Sequence, residues 1–354
     1  MKRILYALSL SLLLVGLSAR AQERNYVIGF YNLENLFDVY NDPAKNDEEF
    51  LPEGSNNWTE TKYQKKLHNM ASVIAAMAKD NGRYHTILGI SEIENRMVVE
   101  DLVADPQIAD ANYQIVHYDG PDRRGVDVAL LYKPEQFTYL DSESIPFDFN
   151  SDIKFSLTKE EQDDFRTRDV LCVRGLIDGE MFAFYVLHTP SRSGGKGGDL
   201  RSRSCEIAYN HALGLMEKYP GIKIVAMGDM NDDPFDESMS VYFHGREKLE
   251  EVGEKDFFNP YWSMLKAGYG SLCYQGVWSI YDQEIVNYNL AVAPNGGLKI
   301  RPFVKDKFYG RIFKKSWMTS KKGQYAGYPF RTFSNGAFIG GYSDHYPTYI
   351  VISK

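Results

Sequence analysis

The stretch Lys223–Pro234, KIVAMGDMNDDP, places a carboxylate and a carboxamide at the end of an apolar run. Ile224–Met227 reads as a buried strand. Gly228 permits a tight turn after it. Asp229 and Asn231 are two positions apart, and in an extended segment such side chains point the same way. A carboxylate there can hold a cation or take a proton, and an amide can donate to an anionic oxygen. Pro234 stops the strand. Asp, Asn and Gly are also ordinary turn residues, so this stretch alone equally describes a polar loop. Asp232 and Asp233 read as loop residues with no assigned role.

The same design recurs along the chain. Asn32 follows Gly29–Tyr31, Glu92 follows Ile87–Ile90, and His188 follows Phe182–Leu187. Asp344-His345 lies beside the last strand, and Asp282 falls inside the strand pattern Trp278–Val286. A lone buried Asp is commonly structural; repeated strand ends of matching chemistry point to a site. Oxygen donors of this kind suit hard cations, magnesium first, with manganese or calcium as alternatives. The His and Cys spacings contain no zinc motif. Arg124, Arg168 and Arg192 are candidates for contacting a substrate phosphate, and each reads equally well as surface charge. Arg123 and Arg166 share that ambiguity. Glu94 is expected to support the site from behind, and Trp58 to pack.

The elements that must hold these residues alternate between strands and helices. Strands are expected at Tyr26–Tyr31, Thr86–Ile93, Val126–Tyr132, Val170–Leu176, Met181–Leu187, Lys299–Val304 and Pro347–Ile352. The pair around Asp178-Gly179 has a hairpin signal. Ser271–Tyr274 and Val277–Val286 read as a second hairpin turning at Gln275-Gly276. Helices are expected over Tyr63–Lys79, Met97–Ala104 and Leu200–Lys218, with a helical turn at Tyr261–Leu265. Asp141–Asp169 is charged and poorly patterned and reads as a long loop. Thr189–Asp199, rich in Gly and Ser, reads as a connection or a phosphate-contacting loop. Mixed strand and helix order with frequent hairpins implies α/β layers rather than one parallel sheet.

Residues 1–21 have the form of a secretory signal peptide: Lys2 and Arg3, an apolar Ile4–Leu17, and Ala19-Arg20-Ala21. The apolar core is short for a membrane span. No Cys lies near the cleavage point, and no stable membrane anchor is expected. Removing the segment leaves 333 of the 354 residues, 37 basic and 48 acidic, with a net charge near −11. Bulk charge therefore gives no salt-driven grip on nucleic acid. Cys172, Cys205 and Cys273 allow at most one internal disulfide.

The order and wording of these motifs resemble the endonuclease/exonuclease/phosphatase superfamily, of the deoxyribonuclease I-like kind. The pieces are FYNLEN at 30–35, ILGISEIEN at 87–95, GVDVALLY at 125–132, LHTPSR at 187–192, GDMNDDP at 228–234, WSIYDQEIV at 278–286 and SDHYP at 343–347. The resemblance implies a four-layer α/β/β/α sandwich as a single catalytic domain over 22–354, exported to the periplasm or the extracellular space. It implies a divalent cation held by Glu92 with Asn32 and Asp344 nearby. It implies that Asp229 orients or deprotonates the attacking water and that Asn231 steadies the phosphoryl oxygen. Asp282 would pair with His345, His345 would contact the phosphate, and His188 would serve as general acid. The implied activity is metal-dependent phosphoester hydrolysis, first as a secreted nuclease-type phosphodiesterase with nucleic acid as substrate. Hydrolysis of a small-molecule or lipid-headgroup phosphate is the alternative, and a catalytically silent binding protein on the same fold is the reading from another class. No protein partner is readable.

Overall fold

The apolar runs are strands buried on both faces in the structure, a computed structural model that describes residues 25–192, 197–334 and 336–354. The expected signal segment lies outside the described residues, as does part of the Thr189–Asp199 stretch. Fourteen strands build the two large sheets. They are β1 (Tyr26–Leu36), β2 (Ile87–Ile93), β3 (Gln114–His117), β4 (Asp127–Tyr132), β5 (Thr138–Ile145), β6 (Val170–Ile177) and β7 (Glu180–His188). They continue as β8 (Lys223–Asp229), β9 (Gly245–Arg246), β10 (Phe257–Phe258), β11 (Asp282–Asn287), β12 (Lys299–Ile300), β13 (Gly310–Ile312) and β14 (Thr348–Ser353). One sheet has the order β12-β14-β1-β2-β4-β3, with β13 also on β14; the other runs β5-β6-β7-β8-β11-β10-β9. The pairs β1/β2 and β7/β8 are parallel.

The side-chain alternation separates the layers. On β8, Val225 and Met227 enter the core between the sheets, while Ile224 and Ala226 enter the outer core. On β7, Phe182, Phe184 and Val186 face inward and Ala183, Tyr185 and Leu187 outward. Helix α1 (Glu60–Asn81) and helix α2 (Arg96–Ala104) cover the first sheet through Leu67, Met70, Ile74, Met77, Val98 and Leu102. Helix α3 (Gly198–Lys218) covers the second through Cys205, Ala208, Ala212 and Leu215. The result is the α/β/β/α sandwich. Each fully buried Leu, Ile, Val or Phe contributes about 1.5–3 kcal/mol. Among the described residues, no helix is long and apolar enough to cross a membrane. All three cysteines are free.

Three segments differ from the sequence reading. The expected loop Asp141–Asp169 begins inside β5, and Lys159–Asp164 is a short helix. β5 is an edge strand that pairs only with β6. It buries none of its residues, so it carries no apolar pattern. The expected single strand Val277–Val286 is broken at Ile280-Tyr281. Its first part, Val277–Ser279, pairs with Leu272–Tyr274 in a separate hairpin, and its second part is β11. Gly228 lies within the β8 ladder rather than at a turn. Its role is close approach: a Cβ there would lie 2.1 Å from the Leu187 carbonyl oxygen. The turn falls instead at Asn231, whose φ is 47°.

Candidate active site

The inward parity of the strands continues past the apolar core into polar residues. On β7 the series 182, 184, 186 leads to His188; on β8, 225 and 227 lead to Asp229. On β11, Val286 leads back through Glu284 to Asp282, and on β1, Ile28 and Phe30 lead to Asn32. The ladder registers align His188 with Asp229 and Asp229 with Asp282, so three side chains form one row across three strands. Asn32, from the facing sheet, donates from Nδ2 to Asp229 Oδ2 at 3.0 Å and to Glu92 Oε1 at 3.2 Å. The site is thus the polar rim of the inter-sheet core.

Glu92 reaches this rim through an irregularity. The β2 register shifts between Ser91 and Ile93, and Glu92 has φ 57°. That bulge re-aims a side chain that regular alternation would turn toward α1. The Asn35 backbone N–H then donates to Glu92 Oε2 at 2.9 Å. His188 Nε2 lies 3.7 Å from Glu92 Oε1 and 3.8 Å from Asp229 Oδ2. His345 Nε2 approaches Asp229 Oδ2 to 3.8 Å from the other side, and its Nδ1 lies 2.8 Å from Asp282 Oδ2.

These contacts set the charges. Burial, with the nearby Asp282 and Glu92, pushes Asp229 up to about 6 against the pull of His345. Burial opposes charge on His345, but Asp282 and Asp229 outweigh it and hold the imidazole well above its usual range. Burial, Arg168, Arg124 and His345 hold His188 well below it. Asp229 therefore stands between a charged imidazole, His345, and a neutral one, His188. Glu92, His188 and Asp229 bring ligand atoms within 4.8 Å of one another, as do Asp229, Asp282 and His345. Clustered buried carboxylates with one cationic neighbour fit a divalent cation.

The other expected residues fall elsewhere. Asn231 is not on an extended face with Asp229: its N–H donates to Asp229 Oδ1 and its Nδ2 to the Thr189 carbonyl, at 2.9 and 3.0 Å. Asp344 belongs to neither ligand cluster; its Oδ2 lies 3.0 Å from Arg331 Nη2. Arg168 is buried and committed. It pairs with Asp122 at 2.9 Å and donates to the carbonyls of His188 and Thr189 at 3.0 and 2.7 Å. Arg192 donates to Tyr281 Oη at 3.0 Å and sits beside Asp232 and Asp236. Arg123 pairs with Asp164, and Arg166 donates to the Asp163 and Phe165 carbonyls. Arg124 is exposed and forms no ion pair among the described residues. Glu94 accepts from the Asp38 backbone N–H at 2.8 Å, and Trp58 is fully buried.

Residues without an assigned role prove structural here. Asp232 pairs with buried Arg201 at 2.8 Å and accepts from Ser238 at 2.7 Å. Asp233 accepts from the Ile280 N–H at 2.9 Å and from Ser279 at 3.1 Å, which fixes the break before β11. Glu34 and Arg331 join the site without a role expected from the sequence. Buried Glu34 accepts from Arg331 Nε at 3.0 Å and from the Thr332 N–H at 2.6 Å. The FYNLEN wording was the one available signal for Glu34; nothing marked Arg331.

The profile of the Endonuclease/Exonuclease/phosphatase family matches residues 27–354. The chain belongs to that family. It is, by that membership, a phosphoester hydrolase, and the family's enzymes use divalent metal ions. Solved structures share the fold at low identity. An endonuclease/exonuclease/phosphatase family protein from Bacteroides thetaiotaomicron superposes with TM-score 0.56 and 15% identity, over 94% of this chain and 96% of that one. The human Nocturnin catalytic domain with bound sulfate gives 0.52 and 14%, over 94% and 97%. D. rerio TDP2 complexed with single-strand DNA product gives 0.52 and 13%, over 93% and 99%. No curated protein matches the sequence.

Proposed function

We propose that this enzyme is an exported, metal-dependent phosphodiesterase of nuclease type that attacks phosphorus with an activated water. Residues 1–21 would be its signal peptide and 22–354 its single catalytic domain. The observation that carries the reading is the row His188–Asp229–Asp282, faced by Asn32 and Glu92 and closed by His345. Glu92 and Asp229, with Asn32 beside them and Asp344 at the margin, are the residues to hold the cation. When bound, a magnesium ion would neutralise phosphate charge and stabilise the transition state. Asp229 orients the water as a hydrogen-bond acceptor at the centre of the row. His345, held charged by Asp282, donates to a phosphoryl oxygen through Nε2. Asn231, whose N–H holds Asp229 and whose Nδ2 donates to the Thr189 carbonyl, would support that oxygen through the second hydrogen of Nδ2. His188 places Nε2 3.7 Å from Glu92 and 3.8 Å from Asp229; held neutral, it would first take up a proton, from water or from Asp229, before passing one to the leaving oxygen.

The decisive assay sets a chromogenic phosphodiester, supercoiled plasmid and phosphomonoesters side by side, with magnesium and with chelator. Plasmid nicking is expected to exceed phosphate release from monoesters, and chelation to abolish both. Absence of any metal-dependent turnover removes the hydrolytic reading in favour of a binding protein. The net charge near −11 supports a second reading, a small-molecule or lipid-headgroup phosphoester as substrate. Faster monoester or headgroup hydrolysis would select it.

A further inference from the structure

We propose that the cavity beside Asp344 receives a planar ring carried by the substrate, as a nucleobase would be. The inference rests on the phosphoesterase reading, because it assigns a place to the substituent of the phosphate. The cavity holds about 340 Å³, at the lower end of the range for small-molecule sites. Its polar end is Arg331 and Asp344, an ion pair at 3.0 Å. Arg331 is itself anchored on buried Glu34, and Asp344 adjoins His345, so this end is fixed against the phosphate position.

The remaining walls have the opposite character. Tyr274, Tyr325, Tyr328 and Ile339 line them. Tyr274 is 70% exposed, Tyr325 40% and Ile339 41%, so these cavity walls are open to solvent. Tyr274 stands on the hairpin Leu272–Ser279, which is separate from both large sheets; its Trp278 packs on Tyr346, while Tyr274 is left exposed. Aromatic side chains beside the proposed phosphate position at His345 suit a flat ring attached to that phosphate. The charge balance points the same way. An acidic chain has little excess cation to track a polyanion, so contact with the non-phosphate part must supply selectivity.

The test compares adenosine 5′-monophosphate with ribose 5-phosphate, which carries the same sugar phosphate and lacks the ring. Calorimetric titration with magnesium present reads binding without requiring turnover. The nucleotide is expected to bind about tenfold more tightly or better, the scale of one stacking contact. Tyr274→Ala and Tyr325→Ala, both at exposed positions, are expected to erase that preference, and thermal unfolding of each variant checks that the fold is kept. The ribose 5-phosphate affinity should stay unchanged. Equal affinities for the two ligands, or a preference that survives both substitutions, would overturn the proposal. A preference found in a protein that hydrolyses no phosphoester would instead sink the enzymatic reading and leave the ring pocket standing.

Discussion

His345 Nδ1 and Asp282 Oδ2 lie 2.8 Å apart, both residues buried and 63 positions apart in sequence. Asp282 orients the ring and stabilises its charge, which leaves Nε2 to face Asp229. Asp282→Asn keeps the shape and removes the charge. Turnover of a chromogenic phosphodiester is expected to fall on the order of 10²-fold, the usual cost of one transition-state donor. Thermal unfolding run in parallel separates this from loss of fold. An unchanged rate would reduce the pair to a structural contact.

Asp229 occupies the centre of the row, between two imidazoles. Asp229→Asn retains the side-chain volume and loses the basic oxygen. The expected outcome is loss of turnover to background with the circular dichroism spectrum intact. His188→Ala is expected to cost less, roughly 10²-fold, because proton transfer alone contributes about that much. If Asp229→Asn retains activity, another group activates the water.

Arg168 makes a sharper division between substrate contact and scaffold. Its three contacts tie Asp122 to the backbone at His188 and Thr189, and Thr189 in turn receives the Asn231 amide. Arg168→Ala would strand a buried carboxylate, a defect that costs about 3–5 kcal/mol. A lowered unfolding midpoint in urea with reduced kcat is expected. A raised KM with unchanged stability would make Arg168 a phosphate contact after all.

How much of this was readable follows from sequence distance and from parity. Asn32, His188 and Asp229 extend inward-facing apolar series, so the strand pattern itself pointed to them. Asp282 was visible only as an acid inside a strand; its pairing with His345 came from resemblance. Glu92 reaches the rim through a bulge that leaves no mark in hydropathy. The partnerships of Arg168 with Asp122 and of Glu34 with Arg331 bridge 46 and 297 positions, and no local pattern encodes them. β5 escaped detection because an exposed edge strand has no face to bury. Asp232 and Asp233 looked like loop residues because their partners, Arg201 and Ile280, arrive from elsewhere in the fold.

His85 gives a stability prediction away from the site. It is fully buried before β2, its ring edge-on to Tyr349, and both ring nitrogens lack a hydrogen-bond partner among the described residues. Burial lowers its pKa from 6.5 to about 4. The unfolded chain therefore binds a proton between those values that the folded chain refuses. Stability from this residue is complete above pH 6.5, falls as pH drops toward 4, and levels off below that. The loss amounts to about 3 kcal/mol over the window. Urea unfolding of the wild type and of His85→Leu at pH 7 and pH 4.5 isolates the term by difference. The variant is expected to lose less stability on acidification than the wild type, whatever its absolute stability. Equal acid sensitivity in the two proteins would show that folding does not shift the proton equilibrium of His85.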